Sequence, residues 1–319
     1  MSRKTLDQQR LDDAARAGWL YYVAGATQDD IARQLNISRQ TAQRLVALAI
    51  SEGLVKVRLE HPVASCMELA NALKQRFGLQ FCDVVPSVNE DPHSTLGLGQ
   101  AGASAIERLL RDPDTRTIAF GTGRVLRACA DELNIQQCPN HKIISLVGNI
   151  ANDGAATRYD AAVYVAEKLE AQHYPMPLPV IAESQTARDA FHQLPHVSRI
   201  LDLASAADAT FVGIGNLGRT SPLAVDGFVD EQALEELESR GGVGEVISWV
   251  YNAEGAVMPC DINSRVTSVP LKAATERPVV GIAAGQHKCA AIVGALRSRL
   301  INALITNEYT ARQVLNLCS

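Results

Sequence analysis

Hydrophobic positions recur along this chain with two different periods, and the change of period divides it. From Leu11 to Ala24, Leu11, Ala14, Ala15, Gly18, Trp19 and Tyr22 fall three and four residues apart, which predicts an amphipathic helix ended by Gly25. Thr27, followed three residues later by Asp30, predicts a capped start for a second, short helix with Ile31, Ala32 and Leu35 on its buried face. After Asn36 and Ile37, the Ser38 hydroxyl is suited to accept from an exposed backbone N–H at the start of a third helix, which buries Ala42, Leu45, Val46 and Ala49 and closes on Gly53. That spacing predicts a tight helix-turn-helix. The segment LVKVRLEH then alternates apolar and polar residues and predicts a short hairpin or wing.

Between Pro62 and Gly78, Val63, Met67, Ala70, Leu73 and Phe77 lie near one helical face, predicting a connecting helix that either pairs with its twin in a dimer or packs on the body that follows. From residue 81 onward the period changes. FCDVV, TIAFG, KIISLVG, PVIAE, ATFVGIG, PVVGIAAG and LINALIT read as strands separated by helical patterns, which predicts a mostly parallel, Rossmann-like sheet with helices on both faces. The expected class is therefore α/β. Three segments follow: residues 1–60 a winged helix-turn-helix, 61–80 a connecting helix, and 81–319 a ligand-binding body.

The third helix presents Arg39, Gln40, Gln43 and Arg44 outward. Arginine can bond guanine edges bidentately and glutamine can pair with adenine, so this helix suits the major groove of double-stranded DNA. Thr27, Gln28, Ser38 and Thr41, with Lys56 and Arg58 of the wing, complete the set of candidate DNA contacts. The bland alternative is a three-helix protein-interaction module whose polar face is merely solvated.

In a parallel sheet ligands bind beyond the carboxyl ends of the strands, which directs attention to the residues after each apolar run. Gly121, Thr122, Gly123 and Arg124 form a strand-to-helix turn offering N–H groups, a hydroxyl and a guanidinium to an anion such as phosphate. Other strand ends supply Gly148, Asn149 and Asn152, then Gly213, Gly215 and Asn216, then Gly285, Gln286 and Lys288. Glu245, Asp261 and Asn263 are further candidates, since carboxylates suit sugar hydroxyls. Each of these ends taken singly is equally a tight turn.

Composition sets limits on these readings. The chain has 319 residues, 47% of them hydrophobic, enough for a substantial core and about two domains. No run is long and apolar enough for a membrane span, and the polar start is unlike a signal peptide, so a cytoplasmic protein is expected. Seven scattered cysteines show no Cys-x-x-Cys or Cys/His spacing and read as reduced packing residues; no metal and no cofactor is expected. Net charge is −5, but residues 1–60 carry nine Lys/Arg against seven Asp/Glu and the remainder 21 against 28, the sign a DNA-binding end requires.

The order WLYYVAGATQDDIARQLNISRQTAQRLV, AFGTGR, LVGNIANDG, ADATFVGIGNLG, GGVGEVISWVYNAEG and RPVVGIAAGQHKCAAIVGALRSRLINALITNEYTA resembles the SorC/DeoR-type sugar-binding transcriptional regulators over about residues 14–315. The resemblance implies a winged helix-turn-helix joined to an effector domain related to sugar-phosphate isomerases, assembled as a tetramer, a dimer of dimers, on operator DNA. It places effector contacts on the GTGR loop, the polar residues after LVG, Glu245, the Asp261/Asn263 pair and Lys288. Asn149 stands where relatives often carry a second glycine. The expected function is regulation of a carbohydrate or polyol catabolic operon gated by a sugar, polyol or sugar phosphate. A sugar-phosphate isomerase carrying a helix-turn-helix is the enzymatic alternative, with Glu245, Asp261 and Lys288 as its acid/base groups.

Overall fold

The computed structural model describes residues 3–55, 63–87, 95–111, 114, 116–151, 154–157, 160–219 and 221–318; Lys56 and Arg58, expected in a wing, and Asn152, expected at a strand end, lie outside them. The chain divides into two compact units, Met1–His61 and Pro62–Ser319.

The first unit holds α1 (Arg3–Tyr22), α2 (Gln28–Leu35) and α3 (Arg39–Ser51). A capping box starts α2: Thr27 Oγ1 accepts from Asp30 N at 3.2 Å, and Asp30 Oδ2 accepts from Thr27 N at 3.1 Å. Asn36, left-handed at φ 53°, ends α2, and Ser38 Oγ then accepts from Thr41 N at 3.1 Å to open α3. Ala17, Leu20, Ile31, Ala42 and Val46 form the core.

Helix α1 begins well before Leu11 and shows a different face from the one its spacing predicts. Ala14, Ala17, Gly18 and Leu20 are buried, whereas Trp19 is 55% exposed and Tyr22 also faces out. Close approach explains the difference: a Cβ on Gly18 would lie 2.7 Å from the Val55 side chain and 2.8 Å from Ala49 Cβ, so the contact with α3 admits only small residues and turns the aromatics outward.

The second unit runs α4 (Ala64–Phe77), β1 (Phe81–Val85), α5 (Leu98–Leu110), β2 (Thr117–Phe120), α6 (Arg124–Glu132), β3 (Lys142–Ile150), α7 (Ala161–Leu169), β4 (Gln172–Pro179), α8 (Gln185–His192), α9 (Pro195–Ser205), β5 (Ala209–Gly213), β6 (Gly215–Asn216), α10 (Pro222–Val225), α11 (Glu231–Ser239), β7 (Gly242–Val246), β8 (Trp249–Asn252), α12 (Asp261–Arg265), β9 (Val279–Ile282), α13 (Cys289–Arg297), β10 (Ala303–Asn307) and α14 (Glu308–Asn316). Helix α4 packs on this unit, burying Cys66, Ala70 and Leu73 while Val63 and Met67 stay exposed.

Among the described residues, a parallel sheet runs β1-β10-β9-β5-β2-β3-β4, and a small antiparallel sheet runs β6-β7-β8. Apolar cores cover both faces of the large sheet, which is why β10 is buried at every position and reads as a continuous apolar run. The run PVIAE is not the fourth strand; Gln172–Pro179 is. Its prolines hide it from a propensity reading, yet β4 is an edge strand, where a missing N–H leaves no ladder bond unmade.

The chain lays down β2, β3 and β4 in one direction, then returns to place β5 on the other side of β2. Leu126, Cys129 and Ala130 of α6, which follows β2, join one core, while Leu217, Leu223, Leu234 and Leu237, which follow β5, join the other. Adjacent strands whose connections leave to opposite faces open a crevice at their carboxyl ends, and this is where an α/β sheet binds ligands.

No helix among the described residues is long and apolar enough to cross a membrane. Because Ser38 alone supplies the side-chain cap of α3, Ser38→Ala is expected to destabilise the first unit by about 1 kcal/mol. Urea unfolding followed through Trp19 fluorescence, with Trp249 replaced by Phe in both proteins compared, measures it; an unchanged midpoint contradicts the capping role.

Candidate functional site

Two sites emerge, one in each unit. On α3 the buried stripe Ala42, Val46 and Ala49 leaves Arg39, Gln40, Thr41, Gln43 and Arg44 exposed on the opposite side. Arg39 Nε lies 3.6 Å from Asp29 Oδ1, but both side chains are largely in solvent, so a phosphate or base edge can displace the carboxylate at small cost. Thr27 and Ser38 are first of all caps: Thr27 Oγ1 donates to Asp30 Oδ2 at 2.6 Å, and Ser38 Oγ lies 2.8 Å from Thr41 Oγ1. Their hydroxyls hold the helix ends.

In the second unit the crevice beyond β2 and β5 gathers three segments. The first is the loop Gly121–Arg124. Gly121 N donates to the Phe211 carbonyl at 2.8 Å, Thr122 bridges to Asp160, and Gly123, at φ 129°, turns the chain into α6 so that Arg124 stands at its positive end. The second is the β7–β8 hairpin. Val246 pairs with Trp249 across a two-residue turn, Ile247 and Ser248, whose φ values of 47° and 70° are those of a type I′ turn. Such turns favour Asn and Gly; a β-branched residue at positive φ is strained by about 1–3 kcal/mol. Glu245 holds the turn, its Oε2 accepting from Ser248 N at 2.8 Å. The third is the turn Gln286–Lys288 after β9, entered through Gly285 at φ 124°.

These segments touch or face one another. A Cβ on Gly121 would lie 3.1 Å from Ile247 Cγ2, so the hairpin turn sits against the GTGR loop. Gly215 is opposite Glu245 in the small sheet, and a Cβ there would come within 2.1 Å of Glu245 Oε1, so only glycine leaves room for the carboxylate. Burial pushes the Glu245 carboxyl above its usual range, with Asp226 adding to the shift, while the Ser248 N–H and the Lys288 charge draw it back. Burial pushes the Lys288 ammonium down, and Arg124 adds to that, while Glu245 opposes it. Glu245 and Lys288 thus share a desolvated crevice, with the exposed Arg124 near Lys288.

Other predicted residues have different places. Gly148 lies within β3, where a Cβ would meet the Leu178 and Pro179 carbonyl oxygens at 2.5 and 2.6 Å; it is glycine because β4 approaches so closely. Asn149 follows it, half-buried, its carbonyl accepting from Thr157 N. Asn216 is buried and donates to the Leu217 carbonyl at 2.7 Å, and Gln286 is exposed.

Asp261 and Asn263 engage different partners: Asp261 is exposed and ion-paired to Arg265 at 2.7 Å. The Asn263 amide is spent on the backbone, accepting from Val250 N and donating to the Val250 and Met258 carbonyls at 2.8–2.9 Å. A two-residue offset on a helix sends their side chains in different directions.

Sequence reasoning also missed Asp226, which bears on Glu245, and the Ile247–Ser248 turn, which carries none of the usual turn residues.

The seven cysteines are free, and burial holds the Cys82 and Cys129 thiols at about 12 and Cys289 at about 11, far from a nucleophile's range. No cluster of potential metal ligands occurs among the described residues.

Comparison with known proteins decides what this assembly is. Residues 61–316 match the family described as "Putative sugar-binding domain", and residues 17–63 match the MarR family. The erythritol catabolism regulatory protein EryD of Brucella abortus is 31% identical over 95% of this chain and 96% of its own length. The chain belongs to the SorC/DeoR-type sugar-binding transcriptional regulators. The sorbitol operon regulator of Klebsiella pneumoniae is 29% identical over 93% of this chain and 95% of its own. The crystal structure of full-length SorC from that organism aligns with TM-score 0.69 at 27% identity, covering 96% of this chain and 99% of SorC. These relatives are regulators rather than enzymes, and this member of the SorC-type family is a DNA-binding transcriptional regulator with a sugar-binding domain.

Two outcomes test the site's energetics. With the Glu245 pKa raised in the folded state, the unfolded chain gives up its proton first as pH rises above about 4.5, so ionisation progressively favours unfolding until the folded-state pKa is passed. The stability of Glu245→Gln relative to the natural chain is therefore expected to grow with pH across that window in chemical denaturation; a difference independent of pH contradicts the raised carboxyl. Asn263→Ala strands two buried backbone groups, the Val250 N–H and the Met258 carbonyl, because the Val250 carbonyl still accepts from Met258 N; it should cost about 1–3 kcal/mol for each left unsatisfied, with ligand affinity preserved in the protein that remains folded.

Proposed function

We propose that this regulator controls a carbohydrate or polyol catabolic operon by reading duplex operator DNA with α3 and sensing a sugar, polyol or sugar phosphate in the crevice between the GTGR loop, the Glu245 hairpin and Lys288. The observation that carries the reading is the company Glu245 keeps: a buried carboxylate suited to hydroxyls, beside Arg124 at a helix start and Lys288 on the neighbouring turn, both suited to phosphate. Relatives named for erythritol catabolism and for the sorbitol operon support a polyol or its phosphate as the ligand class.

In this reading residues 1–60 bind DNA, 61–80 connect and 81–319 hold the effector. One α3 per chain reads one half-site, so the protein acts as a homo-oligomer, a dimer of dimers, in the cytoplasm where its operator is. Effector and operator are linked: a ligand that favours one arrangement of the reading helices alters operator affinity, and operator alters ligand affinity by the same factor.

Fluorescence anisotropy on a duplex from the regulator's own promoter region, titrated with erythritol, sorbitol and their phosphates, tests both halves. At least one ligand is expected to shift the midpoint, and Arg124→Ala with Lys288→Ala should weaken the response to phosphates more than to free polyols. No shift from any of them ends the sensing claim. Arg39→Ala, Gln40→Ala and Arg44→Ala should each lose operator affinity, by about 1–3 kcal/mol where a base contact is bidentate; undiminished binding by all three ends the DNA-reading assignment of α3.

A further inference from the structure

Three arginines converge at the amino-terminal edge of the parallel sheet, at the opposite ends of the strands from the crevice. Helix α4 ends just before β1 and α13 just before β10, and between their ends lies a cleft of about 400 Å³ lined by Arg76, Phe77, Leu296, Arg297, Arg299 and Cys318. Arg76 is anchored by donating to the Cys318 carbonyl, and Arg299 is presented by a left-handed backbone at φ 58°. None of the three pairs with a described carboxylate, whereas Arg108, Arg127, Arg188, Arg240, Arg265 and Arg312 each do.

Like charges brought together with no paired carboxylate among the described residues repel. The carbonyl ends of α4 and α13 offset part of that cost, since helix carboxyl ends favour nearby cations. All three arginines line the cleft. A planar guanidinium fork matches a phosphate group bidentately, and the volume is that of a small-molecule site, with Phe77 and Leu296 supplying an apolar wall.

We propose that this cleft is a second anion site, taking a small phosphorylated metabolite and separate from the crevice. It stands independently of the effector reading, because it shares no residue with it.

Calorimetric titration of the full chain with inorganic pyrophosphate tests the site, using Arg124→Ala/Lys288→Ala protein to silence the crevice. Saturable binding at one site per chain is expected, weakened at least tenfold by adding Arg297→Gln and Arg299→Asn. Both arginines are exposed, so the folded state should survive, and circular dichroism checks it. In the otherwise natural chain the same two substitutions should remove one saturable site whether or not the crevice also binds, which keeps the test valid if the crevice variant folds poorly. No saturable binding, or equal binding with and without Arg297 and Arg299, overturns the proposal. A parallel titration with random-sequence duplex separates the sources of phosphate. If the arginine variant lowers the salt dependence of duplex binding by one charge or more while pyrophosphate fails to bind, the cleft meets the DNA backbone and the metabolite proposal falls.

Discussion

The interaction on which the second unit's site depends is the bond from the Ser248 N–H to the Glu245 carboxylate. It sits in a buried place where an ionised carboxyl is costly and a β-branched residue at positive φ is strained. Neither feature persists unless the surroundings over-determine it. Here Gly215 clears space for the carboxylate on the paired strand, the Gly121 loop bears on the Ile247 side chain, and the Lys288 charge lies within range. Removing any of these relaxes the others, because a single carboxylate joins the small sheet, the strained turn and the cation of the neighbouring loop.

That arrangement follows from topology. An all-parallel sheet must route each connection over one face or the other, and the reversal between β2 and β5 separates two adjacent connections. The gap so created is walled by a glycine-rich loop on one side and filled from the other by an inserted hairpin. The first unit solves a simpler problem, packing three helices around very few apolar side chains, which makes the Thr27 and Ser38 caps and the small residues of α1 count heavily.

The layout was legible where local chemistry and packing agree. The Thr27 and Ser38 caps, the Gly53 closure and six of the seven apolar strands could be read directly, because a cap needs a hydroxyl and a buried parallel strand needs a continuous apolar run. Failures came where tertiary contact overrides local preference. Proline hides β4, which an edge position tolerates; Trp19 faces out because Gly18 makes the α1–α3 contact too close for it. The β7–β8 turn was invisible since Ile and Ser are poor turn residues kept in place by Glu245. Within the site, Gly121, Gly123, Arg124, Glu245 and Lys288 were found as parts of separate motifs, and only the fold brings them together. Asp261 and Asn263 show the converse, a suggestive spacing whose side chains the fold engages in a surface ion pair and a backbone clamp.

If the crevice is where the regulator senses its ligand, occupancy must be felt at three segments far apart in sequence and nowhere else in the second unit with equal strength. Amide hydrogen exchange of the full chain, with and without a sugar phosphate that shifts operator binding, reads this directly. The account predicts slowed exchange in peptides covering residues 121–126, 245–249 and 286–290 together. Protection confined to other segments, with these three unchanged, would contradict it.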